Sequence, residues 1–227
     1  MAFERSDKAR TAILKRLRSQ HAPFEDAPPH PAEYRPVTLE PEGDLLERFR
    51  VEVERLSGKV YAAPDSESAI DFLLSILDQV GDVDSVMGWE TLPIPAIGGA
   101  LSTKGITMIV PLARREGRAE VLRASESIKV GITGADAAFA TTGTLALTTR
   151  DGQGRLPSLL PPVHIALLPR GSLYPRLEDW LHEDGRYALL QSNSVVFITG
   201  PSRTSDIEMQ TILGVHGPAE LHVIVYG

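Results

Sequence analysis

The chain of 227 residues contains no cysteine. That removes disulfides, thiolate nucleophiles, thiolate zinc sites and any iron–sulfur cluster held by this chain's own cysteines. Nor is there a run of about 18 apolar residues, so no membrane span is expected. The N-terminal MAFERSDKARTAILKRLRSQ is charged throughout and lacks the apolar centre of a signal peptide, which makes the cytoplasm the expected location. An excess of positive charge is missing too. The formal charge is −7, and this argues against nucleic acid as a partner. The usual catalytic signatures are absent: there is no Gly-x-Ser-x-Gly elbow, no His-Glu-x-x-His helix, no calcium loop and no Walker A sequence. Gly98-Gly99 and Gly105 flank Lys104 without P-loop spacing. His216 and His222 stand six apart with no further ligands identified, so no metal site is expected.

What remains is the composition of a soluble globular protein of a size suited to one α/β domain. Residues 3–20 read as an amphipathic helix with Ile13, Leu14 and Leu17 on one face. Six basic side chains (Arg5, Lys8, Arg10, Lys15, Arg16 and Arg18) stand there against Glu4 and Asp7. Such a helix can lie on a membrane or nucleic acid, but the expected role is a solvated arm docking on its own domain or on a neighbouring subunit. That leaves a homo-oligomer open. Pro23, Pro28, Pro29, Pro31, Pro36 and Pro41 make the next segment an extended linker. The expected division is therefore an arm and linker over 1–43 and a single α/β domain over 44–227.

From Asp44 the pattern alternates. Leu45, Leu46, Phe49, Val53 and Leu56 recur at helical spacing before Gly58; Lys59–Ala63 is strand-like. Pro64-Asp65-Ser66-Glu67-Ser68 opens a helix that Gly81 ends. Val83–Trp89 and Ile106–Val110 read as strands, Pro95–Lys104 has no clear pattern, and Leu112–Ala124 is a charged helical stretch. Lys129–Thr133, Val163–Leu168, Val195–Thr199 and Leu221–Tyr226 continue as strands, the second and third of them buried. Ser172–Leu181 reads as a helix and Tyr187–Gln191 as a helical turn. Alternating helices and strands predict a mostly parallel sheet flanked by helices.

Three polar turns each follow an apolar run, and in open α/β sheets ligands bind at the carboxyl ends of the strands. Thr133, Gly134 and Asp136 form the first; Thr142, Gly143 and Thr144 the second; Gly200, Ser202, Arg203 and Asp206 the third. Gln153, Arg155 and Ser158 join them from a Gly-Gln-Gly-Arg loop and the proline-bracketed segment after it. Glycine-rich turns offer backbone N–H groups to an anion, and Arg155 or Arg203 can add a bidentate clamp. Each turn alone can equally be a tight turn capped by its own hydroxyls and carboxylates. Taken together they predict a small-molecule site for an anionic ligand. Asp136 is a helix cap or a carboxylate facing ligand hydroxyls. Glu208 and His216 are the candidates for chemistry, whereas His164, inside a strand, reads as a satisfied core histidine.

The motifs Gly131-Ile-Thr-Gly-Ala-Asp136, Thr142-Gly-Thr144, Gln153-Gly-Arg-Leu-Pro-Ser-Leu-Leu-Pro161 with His164, Thr199-Gly-Pro-Ser-Arg-Thr-Ser-Asp-Ile-Glu208 and Gly214-Val-His-Gly-Pro218 resemble the lactate utilization protein C family, whose domain is called LUD. The resemblance runs from about Gly131 to the C-terminus. It implies a fold like that of the ribose-phosphate isomerase, glucosamine-phosphate deaminase and CoA-transferase group. It also implies a role in oxidising L-lactate to pyruvate alongside two partner proteins that carry the iron–sulfur clusters. The implied ligand is an anionic metabolite or a nucleotide-type cofactor whose identity the resemblance does not give. Many family members read Glu-Thr-Gly-Thr where this chain has Thr141-Thr142-Gly143-Thr144. The other readings are a non-catalytic assembly subunit and a stand-alone enzyme of the CoA-transferase or hydrolase type with Glu208 as nucleophile.

Overall fold

The fold was described from a computed structural model over residues 2–19, 43–111, 123, 125–204 and 212–227. The chain divides into two units, Met1–Thr38 and Leu39–Gly227. The first holds helix α1, Ala2–Ser19, with Ile13 and Leu14 exposed. The helical stretch expected over Leu112–Ala124 lies almost wholly outside the described residues, as do Asp206 and Glu208.

In the second unit, Asp44 caps helix α2 (Leu45–Arg55) by accepting from Leu46 N–H at 3.0 Å, and Leu46, Phe49 and Val53 turn inward. Strand β1 follows at Lys59–Ala63. Asp65 caps helix α3 (Ser66–Val80), accepting from Ser68 N–H at 2.7 Å. That hydrogen bond to the ionised form holds the Asp65 carboxyl below its ordinary pKa. The helix stops at Gly81, whose φ of +69° suits glycine. Next come β2 (Ser85–Gly88), α4 (Ile97–Thr103), β3 (Thr107–Ile109), β4 (Val130–Gly134), β5 (Ala137–Phe139), β6 (Thr144–Thr149) and β7 (Val163–Pro169). Short strands β8 (Leu173–Tyr174), β9 (Ser194–Ile198), β10 (Arg203–Thr204) and β11 (Ile212–Leu213) precede the last, β12 (Glu220–Tyr226).

Six strands form one sheet in the order β1-β12-β7-β4-β2-β3, and every pairing in it is parallel. Its central strands are apolar on both faces, as a covered parallel sheet requires: β4 is buried at all five positions and β7 at its first six. The core that results joins Phe49 and Val53 of α2, Leu73 and Leu77 of α3, and Ile132, Ile165 and Ile224 of the sheet. The chain leaves β2 towards β3 on one side and returns to place β4 on the other. The gap between β2 and β4 is therefore the point where strand order reverses.

A second sheet, β8-β5-β6-β9, is built from excursions after β4 and after β7. It corrects two readings. Ser172–Leu181 is not one helix: Leu173–Tyr174 pair with Ala138–Phe139, and the helical run starts only at Leu177. That run continues over 177–190 through a π turn at Leu181–Gly185, where Gly185 lets Trp180 lie directly on the backbone. Val195–Thr199 is a strand but not a buried one. β9 lies at the edge of its sheet, paired with β6, and Phe197 is exposed.

Candidate functional site

The carboxyl ends of β2 and β4 border a cleft of about 180 Å3 lined by Trp89, Thr91, Leu92, Pro93, Gly134, Ala135, Asp136 and Gln153. Three local devices build it. Trp89, leaving β2, donates its indole N–H to the Gly154 carbonyl at 2.9 Å and so ties the β2 end to the 150–155 turn. Glu90 N–H donates to the Gly152 carbonyl at 2.9 Å beside it. Gly134 meanwhile lets Pro93 and Trp89 come close: a Cβ there would stand 3.2 Å from each.

Asp136 forms the far wall. It opens β5 and caps no helix, which corrects that half of the expectation. One carboxylate oxygen accepts from Thr148 N–H at 2.7 Å and from the Thr148 hydroxyl at 2.9 Å; the other pairs with Arg150 at 3.0 Å. The carboxylate therefore fixes the start of the β5–β6 pair while one side of it faces the cleft. Gln153 has a buried side-chain oxygen with no hydrogen-bond partner among the described residues. A buried unsatisfied acceptor at a cleft wall is a place where a ligand donor restores the missing bond. Arg155 is exposed, and its guanidinium has no partner among the described residues.

Beneath this wall runs the 155–161 segment, and its seat is Gly131. A Cβ on Gly131 would fall 1.8 Å from the Pro157 carbonyl oxygen, so this glycine serves a close backbone approach within the protein. Ser158 is buried there and donates its hydroxyl to the Arg155 carbonyl at 3.0 Å, closing the short helical turn Leu156–Ser158. Thr133 is fully buried, its hydroxyl 2.8 Å from His164 Nε2. Burial, with a smaller push from His222, drives the His164 pKa down to about 3, so the imidazole is neutral. His164 is a core residue as expected, although its Nδ1 has no partner among the described residues.

The remaining predicted residues gather elsewhere. Thr142, Gly143 and Thr144 turn the β5–β6 hairpin against α2. Gly143, at φ +64°, packs so closely that a Cβ would lie 2.8 Å from Val53 N. Under it Glu52 is buried between Arg48 at 2.7 Å and Arg55 at 2.6 Å. The Thr144 hydroxyl accepts from Thr142 and lies 2.8 Å from that of Thr199, so the second and third turns do meet. Gly200 packs on Leu56, and Arg203 donates to the Leu56 carbonyl and to Ser57 Oγ at 2.9 Å, closing the end of α2. Ser202 N–H donates to the Pro218 carbonyl at 2.8 Å, and His216 is exposed in that same loop at the amino end of β12. His222, also strand-borne, is placed by Tyr61, whose hydroxyl lies 3.1 Å from its Nδ1. Among the described residues no group of three or more acidic or histidine side chains could hold a metal ion.

The structure thus brings Gly134, Asp136 and Gln153 to one cleft, keeps Thr133 and Ser158 buried behind it, leaves Arg155 exposed outside its lining, and sends the other turns to α2. Sequence reasoning passed over Trp89, Thr91, Leu92 and Pro93. Their signal was the same rule applied elsewhere, an apolar strand running into a proline-bracketed turn.

A family model described as the LUD domain matches residues 46–226. Lactate utilization protein C of Oceanobacillus iheyensis is 39% identical over 104 residues, 44% of this chain and 45% of that protein. Its namesake in an Exiguobacterium species is 42% identical over 99 residues, 42% of this chain and 43% of the other. The matched stretch spans less than half of each relative. Among solved structures, a DUF162 family protein from Deinococcus radiodurans superposes with a TM-score of 0.60 over 81% of this chain and 96% of that one, at 18% identity. At that identity the likeness concerns the fold alone.

Proposed function

The chain belongs to the LUD domain family, and on that premise we propose that it is a cytoplasmic component of L-lactate utilization that binds an anionic metabolite or a nucleotide-type ligand in the cleft between β2 and β4. The metabolic role rests on the relatives named lactate utilization protein C. Oxidising L-lactate to pyruvate releases electrons and protons. A chain without cysteine holds no thiolate-bound cluster of its own, so this reading gives electron acceptance to partner proteins that carry iron–sulfur clusters.

The observation that carries the binding reading is the placement of Gln153, whose buried oxygen has no partner among the described residues, at the reversal point of strand order. Ligands of open α/β sheets bind in that crevice. Leu92, Pro93 and Ala135 give it apolar walls suited to a methyl group, and Arg155 supplies a guanidinium two residues from Gln153. At about 180 Å3 the cleft is smaller than the roughly 300–1,000 Å3 of drug-sized sites, which suits a metabolite of few heavy atoms or one end of a larger molecule. Titration calorimetry with L-lactate, pyruvate and ADP tests it. Gln153→Ala is expected to weaken the bound ligand several-fold, about 1 kcal/mol for a neutral hydrogen bond, and Arg155→Ala by about tenfold or more, the worth of a charge-assisted one. Unchanged affinity and unchanged lactate-dependent growth in both variants would remove the assignment.

A further inference from the structure

The cleft has a neighbour across Leu92. Thr91 and Leu92 also border a second depression of about 160 Å3, whose other walls are Glu90, Ile94, Pro95, Gly98 and Met108. The two hollows flank one short segment and follow the connection from β2 to α4. Among the described residues their polar lining consists of Asp136, Gln153, Thr91 and Glu90, without a lysine, arginine or histidine. An anion lying wholly inside would face two carboxylates with no cation in the lining. A ligand segment rich in hydroxyl donors would find acceptors at both ends.

Of the two carboxylates, Asp136 has both oxygens engaged, with Thr148 and Arg150. The Glu90 carboxylate has no partner among the described residues, yet it is held in place from below. Its own N–H is tied to Gly152, and its side chain lies over that glycine, where a Cβ would come 2.6 Å from Glu90 Oε2. Gly152 has φ +74°, so a residue without a side chain is required there on two counts. The result is an available carboxylate at the carboxyl end of a parallel strand, beside the reversal point. In dinucleotide-binding α/β sheets a carboxylate near the strand ends accepts from ribose hydroxyls, and Glu90 offers the same group here.

We infer that Glu90 binds the vicinal hydroxyls of a ribosyl unit, and that the ligand is nucleotide-type, reaching across both hollows with its phosphate outside their linings. This rests on the cleft being the ligand site and chooses between the two ligand classes proposed for it. Each hollow alone, at about 180 and 160 Å3, is small beside the roughly 300–1,000 Å3 of sites for drug-sized ligands, so a nucleotide would have to lie across the shared Thr91 and Leu92 to use both.

Calorimetry with ADP, 2′,3′-dideoxy-ADP and L-lactate tests the inference on wild type, Glu90→Ala and Gln153→Ala. Glu90 is exposed and makes no side-chain bond among the described residues, so its truncation leaves the fold intact. Wild type is expected to bind ADP at least tenfold tighter than the dideoxy analogue. Glu90→Ala is expected to bring ADP down to the level of the analogue and to leave the analogue unchanged. Equal affinities in wild type, or a hydroxyl preference that survives Glu90→Ala, would overturn the inference. Binding of L-lactate but not ADP, weakened by Gln153→Ala, would overturn it while leaving the cleft as the ligand site. ADP binding indifferent to Gln153→Ala, or no binding of any probe, would remove the cleft assignment and the inference together.

Discussion

Gly131→Ala puts the arrangement of the cleft wall under direct load. The added Cβ would lie 1.8 Å from the Pro157 carbonyl oxygen, 2.8 Å from its carbon and 3.1 Å from Pro161 Cγ. Ordinary contact begins at 3.4 Å, so the 155–161 segment has to lift by about 1.6 Å, the difference between 3.4 and 1.8. Both partners are backbone or ring atoms, and no flexible side chain can yield instead. Overpacking a core costs about 1–3 kcal/mol and at times more. With backbone on both sides, and with buried Pro157 and Ser158 displaced, a loss of about 3 kcal/mol is expected. In a chain of this length that corresponds to a fall in Tm of roughly 6–12 °C. Urea and thermal unfolding measure it, with Gly154→Ala as the control. A Cβ added at position 154 would meet nothing within 4 Å, and the residue has no positive φ, so that variant should stay within about 0.5 kcal/mol of wild type. The lifted segment begins next to Gly154, the acceptor for the Trp89 indole, so the Trp89 N–H resonance should also move in Gly131→Ala. A Gly131→Ala protein as stable as the control, with an unmoved Trp89 signal, would refute the reasoning.

Three further outcomes follow from the same geometry. His164 is neutral in the folded protein, with a pKa of about 3 against 6.5 unfolded. The unfolded chain therefore binds the extra proton, and stability is lost as pH falls from 6.5 towards 3, by about 1.4 kcal/mol per pH unit. Urea unfolding from pH 7 to 4 should show a slope shallower by that amount in His164→Gln. Asp136→Ala leaves the Thr148 N–H and Arg150 without their shared acceptor, and denaturant unfolding should register a loss of about 2–3 kcal/mol. Arg203→Ala removes donors from the end of α2. It should cost about 0.5–1.5 kcal/mol in stability and leave ligand affinity within twofold, whereas Arg155→Ala should do the reverse.

The fold was legible where its causes are local. Lys59–Ala63 reads as a strand because its β-branched and aromatic residues are bracketed by Gly58 and Pro64, and the structure has those bounds. Asp65 and Gly81 mark α3 as plainly in sequence as in space. The second sheet was not legible, because its decisive contacts are distant. Leu173–Tyr174 become a strand by pairing with Ala138–Phe139, and no pattern within 172–181 records that. β9 is as apolar as a buried strand, but its exposure depends on its place at a sheet edge. The same distinction governs the site. Glycines and hydroxyls marked turns correctly, but a glycine needed for a ligand and one needed for another loop look alike in sequence. Gly131 makes room for Pro157, Gly143 for α2 and Gly200 for Leu56. Trp89 and Pro93 carried no such flag, and their role emerges only once β2 and β4 stand side by side.

The most direct test of the cleft is a two-dimensional amide and indole NMR titration with L-lactate, pyruvate and ADP in turn. The ligand that binds is predicted to shift the Trp89 indole N–H, the Gln153 side-chain amide and the backbone signals of Gly134 and Ala135, leaving Thr142–Thr144 and Arg203 unmoved. Shifts confined to the turns around α2, or no shift with any of the three, would contradict a ligand site between β2 and β4.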